Sequence, residues 1–430
     1  MAVVCAGAIS ARANIITVTN RNDNGPGSLR QALADASNGD LINFAVTGTI
    51  VLTSGGLVID KSVTISGPGP DRLSIDGNQA QFQCVFGVAD YNMDTVTISG
   101  LTVTNGICGM YSDHASLTVT DCVVTANKSH SSLGGIGINN ARGPTAALEH
   151  RNDRDVHEAV SERPAGGFAT LTIANCVISD NFGSGVENLS ATVTIIDSTI
   201  SGNFADNSQG RFGEGGGINT GGAKFPGNLT VINSTISGNF AFSEGGGIAS
   251  GFSVVTIVNS TISGNSTGDP NNGYGGGIAA HGGGVVPPAL TITNSTVSGN
   301  SAAICWSVCG GTVEIENTIL NANASGNIDG TVTSHGYNIS SDDGGGHLNG
   351  PDDQIDTDPL LGPLRNHGGP TLTHMPMRGS PAIDAGDPNT PPADHDQRGA
   401  CFLRVFGPRI DVGSVETQLR PRCVTPAPRP

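Results

Sequence analysis

The amino-acid sequence predicts an all-β fold, a right-handed parallel β-helix (a solenoid of about ten coils) with a short N-terminal capping helix. Three observations lead to this prediction: a recurring twelve-residue segment, GGGI segments between several of its copies, and a composition poor in large side chains. Of the 430 residues, 63 are glycine, 13% are charged and 4% are aromatic. Such a composition favours many short strands and tight turns over a conventional globular core.

The recurring segment is typified by LTVINSTISGNF, in which two short apolar runs are separated by Asn or Asp and closed by Ser-Gly-Asn. Within the runs apolar and polar residues alternate, which indicates strands. Strands this short cannot form a core alone. Stacked copies lie about 4.8 Å apart, and their apolar side chains then form columns through the interior. Clear copies begin at Leu171, Val193, Leu229, Val255 and Leu290, and weaker copies begin at Leu117 and Val313.

Asparagine at the bends of the repeat has a structural role in this prediction. Asn233, Asn259 and Asn294 stand between the two apolar runs of their copies. Asparagine adopts the left-handed backbone conformation at low cost, and repeated Asn side chains can stack, each amide bonding that of the next coil. The same turn chemistry explains the recurring Asn-Ser-Thr triplets better than glycosylation does.

The domain organisation follows from where the repeats begin and end. Ser28 and Gln31 form a capping-box pattern ahead of an amphipathic helix that we expect to cover the first coil. Residues 142–164 match no repeat, which indicates an inserted loop, although a local reading-frame error would look the same. The predicted segments are 1–13, a signal-peptide remnant or simply an apolar N-terminus; 14–60, the N-terminal cap and first coil; 61–350, the repeats; 351–419, a C-terminal closing region; and 420–430, a disordered tail.

The charge balance excludes some classes of partner. Twenty Lys and Arg residues stand against 37 Asp and Glu residues, giving a net charge of −17. This charge disfavours binding to nucleic acid and to anionic membranes. The sequence has no run of eighteen apolar residues, so it predicts no transmembrane segment. We expect a monomer.

Nine cysteines are present, and eight remain if Cys5 leaves with a signal peptide. Eight cysteines permit 105 pairings, so the sequence alone does not fix the disulfides. Buried free thiols are an equal alternative for Cys122 and Cys176. An exported protein can oxidise its cysteines. Sequence order suggests the pairs Cys84–Cys108, Cys122–Cys176, Cys305–Cys309 and Cys401–Cys423.

Two groups of residues are candidates for catalysis of polysaccharide cleavage. For hydrolysis they are Asp342, Asp343 and His335, but adjacent carboxylates on an extended strand point apart, whereas a glycosidase needs them on both sides of the bond. For β-elimination they are Lys224 and His281, which lie in corresponding variable loops. The favoured alternative for Lys224 and His281 is that they are solvated loop residues.

A run of carboxylates near residue 350 is the candidate for a metal site. Asp352, Asp353, Asp356 and Asp358 follow closely on one another, and hard cations prefer such oxygen ligands. Neither an EF-hand spacing nor a glycine-rich calcium repeat is present, so a solvated acidic loop is the favoured interpretation of the run. We therefore predict no cofactor, with Ca²⁺ as the one candidate.

Phe182, Phe204 and Phe240 occupy one position of the repeat. Stacking of the coils would align them in an aromatic column. Such a column could bind sugar rings, or it could close a corner of the solenoid.

The repeats and both ends of the chain resemble known proteins. The NSTISGN and GGGI units resemble the repeats of bacterial right-handed parallel β-helix proteins, and DPLLGPLRNHGGPTLTHMPMRGSPAIDAG, DQRG and DVGSVE are similar to the choice-of-anchor Q region of bacterial surface β-helix proteins. The resemblance implies export and a secreted or cell-surface location. Asp384, Asp396, Arg398 and Asp411 match the motif of that region, and we expect Arg398 to pair with one of these carboxylates as a structural contact.

The fold does not imply one activity, because parallel β-helices carry adhesins, lyases and hydrolases alike. We predict an exported or cell-surface protein whose loops bind carbohydrate or another surface ligand, either a polysaccharide or a surface protein, without catalysis. The alternative is a polysaccharide lyase or glycoside hydrolase on the same scaffold.

Overall fold

Successive coils of the chain stack so that each strand pairs in parallel with the equivalent strand of the next coil. The computed structural model describes residues 13–79, 84–89, 94–128, 137–141, 169–189, 191–206, 213–221, 227–268, 275–281, 289–302, 304–306, 312–389 and 394–418. The predicted segments 142–164 and 420–430, and all but the last residue of 1–13, lie outside these residues. The described coils form three long sheets, A, B and C, and one small sheet, D. The predicted parallel β-helix is confirmed.

Sheet A has twelve strands, and these contain the first apolar run of each repeat. They are Ile15–Val18, Asp40–Phe44, Val63–Ser66, Thr95–Ser99, Ser116–Thr120, Thr170–Ala174, Thr192–Ile196, Asn228–Ile232, Val254–Val258, Ala289–Thr293, Thr312–Glu316 and Thr333–Gly336.

Sheet B has eleven strands, which contain the second apolar run. They are Gly48–Val51, Leu73–Asp76, Thr102–Thr104, Val123–Thr125, Val177–Ser179, Thr199–Ser201, Thr235–Ser237, Thr261–Ser263, Thr296–Ser298, Ile319–Asn321 and Ile339–Ser340.

Sheet C has ten strands, and several of them follow the GGG turns. They are Leu57–Ile59, Phe86–Ala89, Met110–Asp113, Ile138–Ala141, Val186–Leu189, Ile218–Gly221, Ile248–Gly251, Ile278–His281, Ile304–Trp306 and Ile328–Asp329. Sheet D, between sheets B and C, consists of Phe204–Ala205, Phe240–Ala241 and Ser266–Thr267.

The core is a set of apolar columns inside the coils. In the strand Asn228–Ile232, Leu229 and Val231 are buried while Thr230 between them is partly exposed, and the neighbouring strands repeat this pattern. Because strand pairing keeps the register, each buried Val, Ile or Leu lies on its equivalent in the next coil. One continuous hydrophobic cluster therefore extends from Val18 to Leu348.

The bend between sheets A and B is made by a single residue in the left-handed conformation. Its φ is 51° at Asn233, 48° at Asn259 and 50° at Asn294. The serine that follows this residue serves the adjacent coil, since Ser234 accepts the backbone N–H of Ser198 at 3.1 Å. The Asn-Ser-Thr triplet is thus a left-handed bend, a hydroxyl bridge between coils and the first residue of a sheet B strand.

Stacked amides are found at the second bend, in the Asn of Ser-Gly-Asn. There Gly238 takes the left-handed conformation with φ 62°, and Asn239 is completely buried. Each side-chain amide N–H donates to the amide oxygen of the next coil at 2.8–3.0 Å. The members of this asparagine ladder are Asn127, Asn181, Asn203, Asn239, Asn265, Asn300 and Asn323.

The GGGI segments turn the chain into sheet C where coils are too close for side chains. Gly215 has φ 62°, and a Cβ atom on Gly217 would lie 2.5 Å from the carbonyl oxygen of Gly247 in the next coil. Glycine is required at both positions, for conformation at the first and for space at the second.

The predicted capping helix is Leu29–Asp35. The Ser28 side chain accepts the N–H of Gln31, and Leu29, Ala32 and Leu33 are buried. A short 3₁₀ helix spans Gly344–Gly346. Neither of these described helices is long and apolar enough to cross a membrane.

Residues 359–418, of which 390–393 are not described, form a segment that we call the C-terminal strap. It lies along the outer face of sheet B and the adjoining bend. Gln397 bonds the side chains of Thr235 and Thr261, and Gly413 donates its N–H to the carbonyl oxygen of Asn317. The strap thus covers several coils from the side.

Candidate functional site

A column of threonines runs along the outer face of sheet A. Register pairing places one threonine beside the next in eight consecutive strands, from Thr64 to Thr291. The column consists of Thr64, Thr97, Thr118, Thr172, Thr194, Thr230, Thr256 and Thr291.

Glu314 occupies the next position of this column, directly beside Thr291. The neighbouring outward position holds Glu316, which pairs with Thr293. Alternate residues of a strand point to the same side, and the rise is about 3.3 Å per residue. The two glutamates therefore project from one face, with their Cα atoms about 6.6 Å apart. One coil therefore replaces neutral hydroxyls with two carboxylates.

His335 reaches the same place through an irregularity in the last strand of sheet A. The register between Thr312–Glu316 and Thr333–Gly336 shifts between Ile315 and Glu316, so one extra residue stands in the final strand. Such a bulge changes the direction of a side chain. The imidazole Nε2 of His335 lies 3.5 Å from Oε2 of Glu314, and the two side chains are 51% and 47% exposed.

These side chains line an open pocket of about 400 Å³. We call it the sheet A pocket, and its lining residues are Thr291, Thr293, Glu314, Ile315, Glu316 and His335. Carboxylates accept hydrogen bonds, hydroxyls both donate and accept, and no Lys or Arg is among the described lining residues. Chemically the pocket is suited to a ligand rich in hydrogen-bond donors.

Of the three predicted catalytic candidates whose side chains the structure describes, only His335 lies in this pocket. Asp342 instead accepts the N–H groups of Asn327 and Gly344 and the hydroxyl of Ser340. Burial opposes ionisation of Asp342, but these hydrogen bonds outweigh it and lower its pKa. Asp343 accepts the N–H of Gly345 at the start of the 3₁₀ helix. Both aspartates hold a turn.

The side chains of the two remaining candidates lie outside the described part of the chain. Lys224 lies outside the described residues. His281 ends a strand of sheet C, and its side chain is not described.

The four aspartates predicted as a calcium site do not converge. Asp353 accepts the hydroxyl of Ser334 and the backbone N–H of Asn338, Asp358 accepts the N–H of Leu360, and Asp352 lies 3.9 Å from Arg409. Asp356 forms a left-handed turn with φ 49°. In the part of the chain that the structure describes, no three His, Cys, Asp or Glu side chains are grouped to hold a metal ion.

The phenylalanine column is stacked, and Phe204 in its middle is 38% exposed. The centroids of Phe182 and Phe204 are 5.4 Å apart, and those of Phe204 and Phe240 are 4.6 Å apart. Lys128 lies over Phe182 at 5.1 Å, and the backbone at Gly268 approaches the ring of Phe240 so closely that a Cβ there would lie 2.3 Å from it. With both ends covered, the column fits the corner-closing alternative.

The strap contains a buried charged cluster. Arg398 donates two N–H groups to Asp396 and a third hydrogen bond to the carbonyl oxygen of Glu416, and its guanidinium lies 3.8 Å from the ring of Phe402. Arg404 is fully buried beside Asp411 and donates to that residue's carbonyl oxygen. Since the whole cluster is inaccessible to a ligand, it serves the packing of the strap.

Ionisation in this cluster is shifted by burial. Burial, together with the charge of Asp411, raises the pKa of Glu416 to about 7. Burial also raises the pKa of Asp411, although its hydrogen bonds, among them one from the N–H of Asp384, oppose the rise.

The cysteines divide into two kinds. A disulfide joins Cys84 and Cys108, and Cys401 is also disulfide-bonded. Cys122 and Cys176 are free buried thiols that face each other in adjacent coils, at the position that serine holds in later coils. Burial raises the pKa of Cys176 well above its usual value. Cys309, Cys423 and the side chain of Cys305 lie outside the described part of the chain.

Glu314 and Glu316 are not among the residues predicted from the sequence. The signal for them is present, because the copy at residues 313–316 reads VEIE where the preceding copy reads LTIT. Alternation alone places both glutamates on the outer face.

Comparisons with known proteins agree with this fold. A sequence-family model described as "Right handed beta helix region" matches residues 165–321. Together with the stacked parallel sheets, this match shows that the chain folds as a right-handed parallel β-helix. No curated protein sequence matches it.

Among solved structures, the pectate lyase Pel9A is similar with a TM-score of 0.51 and 15% identity over 95% of this chain and 97% of that one. The A-module of the Azotobacter vinelandii mannuronan C-5 epimerase AlgE6 is similar with a TM-score of 0.41 and 15% identity over 78% of this chain and 95% of that one.

Proposed function

We propose that this protein binds polysaccharide on the outer face of sheet A, without cleaving it, and that the sheet A pocket is the centre of the binding surface. The observation that carries the proposal is the break in the threonine column, where Glu314 and Glu316 replace hydroxyls beside His335. The repeat is otherwise regular, and this departure from it lies in a pocket on an exposed face. Such a departure is typical of a binding site and not of the residues that hold the fold.

The chemistry of the pocket supports a carbohydrate ligand. Sugar rings present many hydroxyl donors, and ionised carboxylates accept only. The threonine column extends the surface along the solenoid axis with a hydroxyl about every 4.8 Å. A pectate lyase of similar fold makes polysaccharides a reasonable ligand class to test.

Exposure of the pocket favours binding over hydrolysis. A glycosidase acid has its pKa raised by a water-excluding environment. Glu314 and His335 are each about half exposed, at 47% and 51%. Hydrolysis remains the second candidate, because two carboxylates project from the same face of one strand and a glycosidase uses a pair of carboxyl groups.

We place the protein outside the cytoplasm, as a monomeric bacterial protein that is secreted or attached to the cell surface. The disulfide between Cys84 and Cys108 supports an oxidising compartment. The resemblance of the C-terminal region to choice-of-anchor Q proteins supports a surface location. The net charge of −17 supports a partner other than nucleic acid.

The test is a binding panel of neutral, acidic and amino polysaccharides, with and without Ca²⁺, followed by calorimetry on the ligands that bind. Hydrogen bonds to charged groups contribute about 1.5–3 kcal/mol, so the double variant Glu314→Gln/Glu316→Gln should bind at least tenfold more weakly. Asp60→Asn/Asp71→Asn, which changes two exposed carboxylates at the other end of the solenoid, is the control and should bind normally.

Two outcomes would contradict this proposal. Equal affinity of the double variant and the native protein would show that the ligand binds elsewhere. Release of reducing or unsaturated ends from any polysaccharide would show that the protein is an enzyme, and its loss in the double variant would place the catalysis in the sheet A pocket.

A further inference from the structure

We infer that the sheet A pocket selects saccharides that carry free amino groups, such as polymers of de-N-acetylated hexosamine, over polyuronates. This inference rests on the proposed function and names the substrate class of the same site. The argument uses the charge, the hydrogen-bonding capacity and the shape of the pocket.

Charge excludes polyuronates from the pocket. Among the described lining residues the ionisable groups are two carboxylates and one imidazole, which together carry a negative charge even when His335 is protonated. The whole chain adds a net charge of −17. A uronate brings a further negative charge at every residue, and no Lys or Arg stands among the described lining residues to attract it.

Hydrogen bonding gives the same answer. Ionised carboxylates have no proton to donate, so Glu314 and Glu316 cannot form hydrogen bonds with a carboxylate of the ligand. An ammonium group offers three donors and a positive charge, and charge-assisted hydrogen bonds are about twice as strong as neutral ones. A free amine on a sugar satisfies both glutamates where a hydroxyl or an acetamide satisfies them only in part.

The surroundings of the glutamates favour a saccharide over a simple cationic chain. Thr291 and Thr293 contribute hydroxyls one strand away, and Ile315 contributes apolar surface to the lining. The column of threonines continues from the pocket across seven further strands of the same face. A polyhydroxylated chain can use that row, whereas polylysine can use only the charge.

The experiment compares four probes by calorimetry on the full chain: a glucosamine oligomer, its fully N-acetylated counterpart of equal length, an oligogalacturonate and polylysine, at a pH where the amines are protonated. We expect the glucosamine oligomer to bind at least tenfold more tightly than the acetylated one, and the oligogalacturonate not to bind. Added salt should reduce this preference, because exposed charges are screened.

The variants separate this inference from the proposed function. Glu314→Gln/Glu316→Gln should reduce the preference for the free amine to less than threefold, and Asp60→Asn/Asp71→Asn should leave it unchanged. If the acetylated or uronate probe binds as tightly as the amine, or if polylysine displaces the amine oligomer at equal charge concentration, the inference is overturned while glycan binding stands. If no saccharide binds, both proposals fail.

Discussion

The asparagine ladder can be tested at one residue, Asn239. Its amide oxygen accepts the backbone and side-chain N–H groups of Asn203 at 3.0 and 2.9 Å, and its amide nitrogen donates to Ile200 and Asn265 at 3.0 and 2.9 Å. Asn239→Ala removes all four hydrogen bonds. Each contributes about 1 kcal/mol net, and the buried backbone N–H of Asn203 then has no partner, so we expect a loss of about 3–5 kcal/mol.

The measurement is the urea midpoint together with hydrogen exchange of the Asn203 amide. Exchange is the more direct readout, because a repeat protein can open locally before it unfolds as a whole. We expect exchange of this amide to accelerate by about a hundredfold or more. Asn228→Ala is the control, since Asn228 is exposed on the outer face of sheet A, and its effect should stay within about 0.5 kcal/mol. A loss below about 1 kcal/mol for Asn239→Ala would refute the view that the ladder holds the coils together.

Two further predictions concern ionisation and thiols. A carboxyl group whose pKa rises from its ordinary 4.5 to about 7 on folding stabilises the native state fully below pH 4.5, and this contribution is lost as the pH rises to 7. In thermal melts, the Tm of Glu416→Gln relative to that of the native protein should therefore be higher at pH 8 than at pH 5. Burial lowers the pKa of His367 and His374, but these histidines act equally in both proteins. An equal Tm difference at both pH values would contradict the prediction. The double variant Cys122→Ser/Cys176→Ser introduces serine, the residue that Ser198 and Ser234 provide at the same position in later coils. The free energy of unfolding, measured from the urea midpoint, should therefore change by no more than about 1 kcal/mol. A loss above about 3 kcal/mol would show that the coils there need the larger sulfur atoms.

The fold could be predicted because several independent features of the repeat indicate the same structure. Alternation gives the strands, Asn and Gly give the bends, and self-similarity gives the stacking. The long ladder of stacked amides belongs to Asn239 and its equivalents at the second bend. At the first bend, where Asn233 and its equivalents make the left-handed turn, the predicted amide contact between coils is found between Asn317 and Asn294, at 2.6 Å. A one-dimensional pattern shows that asparagine recurs at both bends, but only the coil geometry shows which of the two side chains points inward.

The candidate site was harder to predict, because clustered acidic residues stand out in the sequence and the glutamates of the site do not. Asp342, Asp343 and Asp353 attract attention as a dense acidic run, yet each bonds backbone N–H groups of a nearby turn. Glu314 and Glu316 stand inside a copy of the repeat, where they look like ordinary variation. Their importance follows from comparison with Thr291 and Thr293 of the preceding coil, together with a bulge at His335 that no local pattern indicates.

The C-terminal strap has a consequence for how this protein can change its length. Its contacts with Thr235, Thr261, Thr296 and Asn317 fall on four successive coils. Solenoids ordinarily tolerate duplication or deletion of a unit, but here a gained or lost coil between Thr235 and Asn317 would leave the strap too short or too long by one strand spacing. The strap therefore fixes the number of coils between Thr235 and Asn317.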